Sequence, residues 1–193
     1  MSNNELYPIF LKVSDLEVLI VGGGKVGLEK LTFLLKSSPH AKVTLVAKKI
    51  LPELINLASD HTVKIVKKPY SKSILLGKHI VIAATDELDV NIQIHKDCKS
   101  RNILVNVADN PNYCDFYMGG IVTKGNLKLA ISTNGKSPTM AKRLRQFFEE
   151  VLPDDVNALV ENLNKYRQSI HGNFEEKVKK LNDLTSNMIK KKK

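Results

Sequence analysis

The segment VLIVGGGKVG, from Val18 to Gly27, places an unbroken apolar run directly before three glycines, and a fourth glycine follows three residues later. A continuous apolar run that ends in glycine is typical of a strand buried on both faces of a parallel sheet. After the glycines, Leu28, Leu31 and Leu35 recur at helical spacing. The stretch therefore predicts a strand, a tight glycine turn and a helix.

The alternation of strands and helices continues to about residue 112. Each further apolar run is separated from the next by a helical pattern or a polar turn, which favours a parallel sheet covered on both faces. The sequence thus predicts an α/β domain of the Rossmann type over residues 1–112. Its remaining strands are expected at 42–47, 62–70, 79–86 and 103–109.

The pattern changes after residue 112. Two apolar stretches joined by TKGN, Thr123 to Asn126, predict a hairpin, and SPTMAKRLRQFFEEV predicts a helix that begins at Pro138. This segment, 113–152, has apolar faces but little room for a separate core, so we expect it to be buried in a symmetric homodimer. Residues 153–193 are predicted to be helical and to end in a basic tail.

Charge and composition narrow the classes of partner. The chain has 193 residues and a formal net charge of +10, which favours partners that carry many negative charges and is equally compatible with a solvated surface. Aromatic residues make up only 6%, and no apolar run reaches membrane-spanning length, so neither nucleic acid nor a membrane is an expected partner. Two cysteines and the lack of an apolar leader predict a cytoplasmic protein.

The two cysteines and five histidines lie in no pattern that suggests a catalytic or metal-binding role. No histidine pair fits two metal ligands on one helix face, so no metal site is predicted. Cys98 and Cys114 have no basic activator nearby in sequence, and both are expected to be unreactive.

Gly22, Gly24 and Gly27 form a G-x-G-x-x-G pattern where strand and helix join. The first glycine permits the turn, the second lets a pyrophosphate approach the backbone, and the third lets helix and strand pack closely. Dinucleotide binding follows as the prediction. The second strand ends in LVAKK without an acidic residue for the ribose, so two alternatives stay open: NAD with its ribose held by backbone groups, or NADP with Lys48 and Lys49 on its 2′-phosphate.

Three further segments supply candidate site residues. Thr85 and Asp86 end the fourth strand and are expected on the cofactor side. Asp109 follows the fifth strand and is the candidate proton acceptor, with an Asx-type turn before NP as the alternative interpretation. The stretch with Ser132, Thr133, Asn134 and Gly135 precedes a helix and is expected either to bind a substrate carboxylate or to form an ordinary capped turn.

Five segments in a fixed order also resemble a known family. They are YPIFLKV, VLIVGGGKVGLEK, VIAATDELDVN, NVADNP and ISTNGKSPTMAKRLR. The chain resembles the precorrin-2 dehydrogenase and sirohydrochlorin ferrochelatase family, which includes the N-terminal half of siroheme synthase. The resemblance implies NAD-dependent oxidation of precorrin-2 to sirohydrochlorin by a homodimer, and, in some members, insertion of Fe²⁺ into sirohydrochlorin.

The resemblance also implies residue roles. It places Asp109 in catalysis, and it places Thr133 where siroheme synthase carries a serine. A competing hypothesis is a Rossmann-type protein that senses NAD without turnover, which would not need NVADNP or STNGKSP. The implied cofactor contacts are Gly22, Gly23, Gly24, Lys25, Val26, Lys48 and Lys49.

Overall fold

The computed structural model describes residues 4–186, and their contacts group into two compact units. The first unit contains residues 4–119 together with Ser132–Pro138. The second contains Gly120–Ile131 and the described residues from Thr139 onward. The predicted domains, 1–112, 113–152 and 153–193, stay a prediction, and the basic tail from Lys190 to Lys193 lies outside the described residues.

The first unit is built on a five-stranded sheet in which every neighbouring pair of strands is parallel, in the order β3-β2-β1-β4-β5. This arrangement and the flanking helices confirm the Rossmann-type fold predicted from the sequence. The strands are β1 (Glu17–Val21), β2 (Lys42–Val46), β3 (Val63–Val66), β4 (Ile80–Ala83) and β5 (Leu104–Val107).

The five strands also end at the same level. Val21, the last residue of β1, lies opposite the last residues of both β2 and β4, which are Val46 and Ala83. The registers of β3 and β5 place their last residues, Val66 and Val107, on the same line. The segments that follow the strands therefore all leave from one edge of the sheet, the carboxyl edge where α/β sheets bind ligands.

Helices cover both faces of this sheet. They are α1 (Lys25–Ser37), α2 (Pro52–Ser59) and α3 (Leu88–Lys99). Ile20 of β1 shares one apolar cluster with Leu31 of α1 and Leu54 of α2, whereas Leu19 shares the other with Ile94 of α3. Because alternate residues of β1 enter opposite clusters, the strand is apolar from Val18 to Val21.

The second unit contains the predicted hairpin and the helical segment. β6 (Gly120–Lys124) pairs antiparallel with β7 (Leu127–Ile131), and Gly125 in the connecting turn has a φ of 58°. The helices are α4 (Pro138–Val151), α5 (Val156–Ser169) and α6 (Phe174–Thr185), with Gly172 at a φ of 127° between the last two. None of the helices in the described part of the chain is long and apolar enough to cross a membrane.

A buried carboxylate holds the connection between β3 and β4 against α3. This connection contains only a 3-10 helix, Lys72–Leu75, instead of a full crossover helix. The Tyr70 hydroxyl donates to Asp97 of α3 at 3.0 Å, and Lys72 pairs with the same carboxylate at 3.4 Å. Burial alone would raise the pKa of Asp97, but hydrogen bonds from Tyr70, Gln93 and Lys72 outweigh it and lower that pKa below the usual 3.8.

We expect the Tyr70→Phe substitution to lower the free energy of unfolding at pH 7 by about 1.5–3 kcal/mol, the range for a hydrogen bond to a charged group. Because the folded-state pKa of Asp97 is lowered, its contribution is complete above pH 3.8 and is lost as the pH falls through the folded value. The difference in the free energy of unfolding between variant and parent should therefore be smaller when urea unfolding is repeated at pH 3. A constant difference at both pH values would contradict a role for the ionised carboxylate.

Candidate functional site

The glycine turn after β1 is packed too closely for side chains. Gly22 has a φ of 130°, and a Cβ at this position would clash with the carbonyl oxygen of Ala84. A Cβ on Gly23 would clash with the carbonyl oxygen of Lys49, and one on Gly27 with that of Gly22. The glycines thus let the turn pack against the segments that follow β2 and β4, as well as against α1.

Gly24 differs from its neighbours because it faces open space. A Cβ built on Gly24 has no atom within 4 Å, and its φ of −90° is accessible to any residue. Gly24 is also the N-cap of α1, and no side chain caps that helix end. The first N–H groups of α1 therefore lie beside a position kept clear of side chains, which suits a phosphate group. This geometry fits the dinucleotide predicted from the sequence.

The end of β2 leaves the choice of nucleotide open. Lys48 and Lys49 are both exposed. The loop that carries them is fixed to the glycine turn, because Leu51 donates its backbone N–H to the Gly23 carbonyl oxygen at 2.9 Å. Two exposed lysines beside the turn are compatible with a 2′-phosphate, and the absence of an acidic side chain is compatible with a ribose held by backbone groups.

The loop after β4 is held by a residue that the sequence reasoning missed. The side-chain oxygen of Asn91 lies 2.7 Å from the Thr85 hydroxyl and 3.2 Å from the Thr85 N–H, and both donate to it. The Asn91 amide in turn donates to the Thr85 carbonyl oxygen at 2.9 Å. Asn91 is buried, whereas Asp86 is exposed. The polar residue on the inner face of α3 was the available signal, because a buried amide needs partners.

Asp109 is both a turn residue and an exposed carboxylate. The turn from Val107 to Asn110 is closed by a hydrogen bond of 3.2 Å from the Asn110 N–H to the Val107 carbonyl oxygen, and Asp109 inside it has a φ of 57°. Aspartate tolerates this left-handed conformation better than most residues. The two interpretations of Asp109 are therefore compatible, because the turn presents the carboxylate to solvent at the carboxyl edge.

The segment Ser132–Pro138 belongs to the first unit, although β7 and most of α4, which flank it, belong to the second. Asn134 and Gly135 follow one another in the left-handed region, with φ values of 54° and 72°. The Thr133 hydroxyl donates to the Ser137 carbonyl oxygen at 3.0 Å and accepts from the Ser137 N–H at 3.3 Å. Thr133 therefore shapes the loop through its own hydroxyl.

The two cysteines are poor nucleophiles in this fold. Burial raises the pKa of the Cys98 thiol to about 12, with a further increase from the neighbouring Asp97 carboxylate. Burial also raises the pKa of Cys114. Within residues 4–186, no group of three or more His, Cys, Asp or Glu side chains is placed to hold a metal ion.

Two family models match the chain. A model described as "Putative NAD(P)-binding" matches residues 9–120, which is more than half of the chain. A second, described as "Sirohaem biosynthesis protein central", matches residues 124–150.

The chain is also similar to proteins named siroheme synthase. It is 37% identical to the one from Psychrobacter sp. (strain PRwf-1), in an alignment that covers 91% of this chain and 38% of the relative. It is 38% identical to the one from Pseudoalteromonas translucida (strain TAC 125), with coverage of 86% and 35%. The chain thus spans little more than a third of the length of these relatives.

A solved structure titled "SirC, precorrin-2 dehydrogenase" matches with a TM-score of 0.74 and 23% sequence identity. The match covers 95% of this chain and 91% of that one. At this level of identity the likeness shows a shared fold.

The open space at Gly24 yields a test of the cofactor site. The Gly24→Asp substitution should leave the protein folded, because the added side chain meets no atom and needs no unusual φ. It should abolish NAD binding, because a carboxylate would occupy and repel the position of the pyrophosphate. Calorimetric titration with NAD, together with circular dichroism as the control for folding, measures both. Unchanged NAD affinity would mean that the cofactor lies elsewhere.

Proposed function

Since the chain belongs to the family described as "Putative NAD(P)-binding", we propose that it catalyses the NAD-dependent oxidation of precorrin-2 to sirohydrochlorin. The observation that carries the proposal is the placement of the glycine turn and the exposed Asp109 at the same edge of one sheet. The match to the sirohaem central model and the names of the relatives support the choice of substrate.

The proposed reaction removes a hydride and a proton from the tetrapyrrole. NAD, when bound, supplies the hydride acceptor. The residues Gly22 to Val26 hold the dinucleotide through the backbone of the turn and the start of α1. The Asp109 carboxylate accepts the proton and passes it to water, which is the work of a general base. No described residue donates a hydrogen bond to this carboxylate, so its oxygens are available to accept the proton.

The substrate carries several acetate and propionate carboxylates, which suits a chain with a formal net charge of +10. The segment from Ser132 to Gly135 is our proposed contact for one of these carboxylates. Because the Thr133 hydroxyl is occupied within the loop, we expect the loop backbone to make the contact. Insertion of Fe²⁺ into sirohydrochlorin stays a prediction from the family resemblance. An assay that contains sirohydrochlorin and Fe²⁺, without precorrin-2 or NAD, measures this activity directly.

The test of the function is a spectrum of purified protein mixed with precorrin-2 and NAD. The visible absorption should change to that of sirohydrochlorin while NADH appears in equal amount, and NADP should be a much poorer substrate. Equal rates with NADP would favour the interpretation in which Lys48 and Lys49 meet a 2′-phosphate. NAD binding without any oxidation would instead favour the non-catalytic NAD-sensing protein.

The Asp109→Asn substitution should lower turnover by about 10²–10⁴-fold, the usual contribution of a positioned general base. Asparagine also adopts positive φ readily, so the turn should be kept and NAD affinity should change by no more than a few-fold. Steady-state kinetics and NAD titration of the same preparation give both values. Asp60→Asn is the matched control, because it changes an exposed aspartate after the C-terminal end of α2, away from the carboxyl edge, and it should keep turnover. Near-normal turnover in the Asp109 variant would show that Asp109 only shapes the turn and is not the base.

We propose further that the protein is a homodimer whose interface includes α4. Met140, Phe147 and Val151 are each more than half exposed, at 54%, 53% and 58%, and their spacing places them on one face of this helix. A two-stranded sheet such as β6–β7 is also only marginally stable by itself in water. Coverage by a second copy of the chain would remove this apolar stripe from water.

The Phe147→Glu substitution should therefore convert the dimer into a monomer, because it places a charge in the apolar stripe. Lys142→Glu is the control, because it changes an exposed residue on another face of α4. Sedimentation at micromolar concentration should show a dimer for the parent and for the control. A monomeric parent would overturn the proposed interface.

A further inference from the structure

A single sulfur atom holds the turn that presents Asp109. The Cys114 Sγ accepts a hydrogen bond from the Val107 N–H at 3.3 Å. It also lies 3.2 Å from the Val107 carbonyl oxygen and 3.3 Å from that of Asn110, within reach of S–H donation to either. Val107 and Asn110 are the first and last residues of the turn around Asp109, so the sulfur contacts both of its ends.

The sulfur is itself held against β5. The buried Asn106 donates its amide to the Phe116 carbonyl oxygen at 2.8 Å, with the Cys114 Sγ at 3.4 Å from the same nitrogen. The Asp115 N–H donates to the Val105 carbonyl oxygen at 2.8 Å, and the Asp115 carboxylate accepts from the Val105 N–H at 3.0 Å. Residues 114–116 therefore run along the outer edge of β5 as a brace, and the brace fixes the position of the thiol.

We propose that Cys114 is a positioning residue that holds Asp109 where it accepts the proton, an inference that rests on the proposed function. The Asp109 side chain has no hydrogen-bond partner among the described residues, so its place is set by the backbone of its turn. Burial raises the pKa of Cys114, so the group stays a neutral thiol that both donates and accepts. A displacement of about 1 Å in a catalytic group can cost about 100-fold in rate.

Three variants test the effect on catalysis. Cys114→Ala should lower kcat by about 10- to 100-fold and leave the KM for precorrin-2 and the affinity for NAD within a few-fold. Cys114→Ser should recover most of the loss, because a hydroxyl also donates and accepts. Cys98→Ala, a cysteine of the same unit that packs in an apolar cluster, should keep kcat. Equal losses in the alanine and serine variants, or a loss that lies in NAD affinity, would overturn the proposal.

A double substitution separates positioning from general destabilisation. When Asp109→Asn has already removed the base, adding Cys114→Ala should lower kcat little further, because both changes act on one proton transfer. Fully additive losses would show that Cys114 acts on catalysis independently of Asp109, and would overturn the proposal.

Amide hydrogen exchange tests the same contacts without any turnover. Cys114→Ala should speed exchange at the Val107 and Asn110 amides by about tenfold. The Val107 amide loses its acceptor, and the turn closed by the Asn110 amide loses the thiol that contacts both of its ends. The Ala108 amide, which donates to the Ala83 carbonyl oxygen at 2.9 Å within the sheet, is the internal control and should not change. Unchanged exchange at Val107 and Asn110 overturns the proposal whatever the activity. If exchange is faster in the variant but the parent shows no turnover, the proposed function is wrong and the contact made by Cys114 is established.

Discussion

The lack of space for side chains at the glycine turn is the constraint on which the first unit depends. A Cβ at Gly22 or Gly23 would collide with backbone carbonyl oxygens of the segments after β4 and β2, and one at Gly27 with the turn itself. These close approaches bring three segments together at one point of the sheet edge. Of the four glycines in this turn, only Gly24 faces open space, so the turn excludes side chains at the other three and stays clear for a ligand at this one.

The sheet turns this local geometry into a site. Its five strands end in register, so every loop at the carboxyl edge starts from the same level. Both faces of the sheet are covered by apolar clusters, which leaves the ends of the strands as the place where polar groups are exposed. Asp86 and Asp109 are exposed there for this reason. They follow β4 and β5, which lie next to each other in the sheet.

Buried polar side chains hold the segments that leave this edge and the connection opposite α3. Asn91 holds the loop after β4, Asn106 holds the brace along β5, and Asp97 holds the connection after β3. A buried polar group without a partner would cost free energy, and each of these groups makes hydrogen bonds. No buried side-chain nitrogen or oxygen within residues 4–186 lacks a partner. The loops of the site are therefore held by specific polar contacts as well as by apolar packing.

Sequence periodicity alone determined the strands, the helix after the glycine turn, the hairpin around Gly125 and the parallel arrangement, because these depend on residues close together in the chain. The glycine pattern indicated Gly24 as a candidate site residue, and the position after the fifth strand indicated Asp109. Only the tertiary structure decided which side chains pair with one another in the connecting segments. Tyr70 meets Asp97 across 27 positions, and Cys114 meets Val107 across seven. Such partners are set by where the chain folds back on itself, which no local pattern encodes.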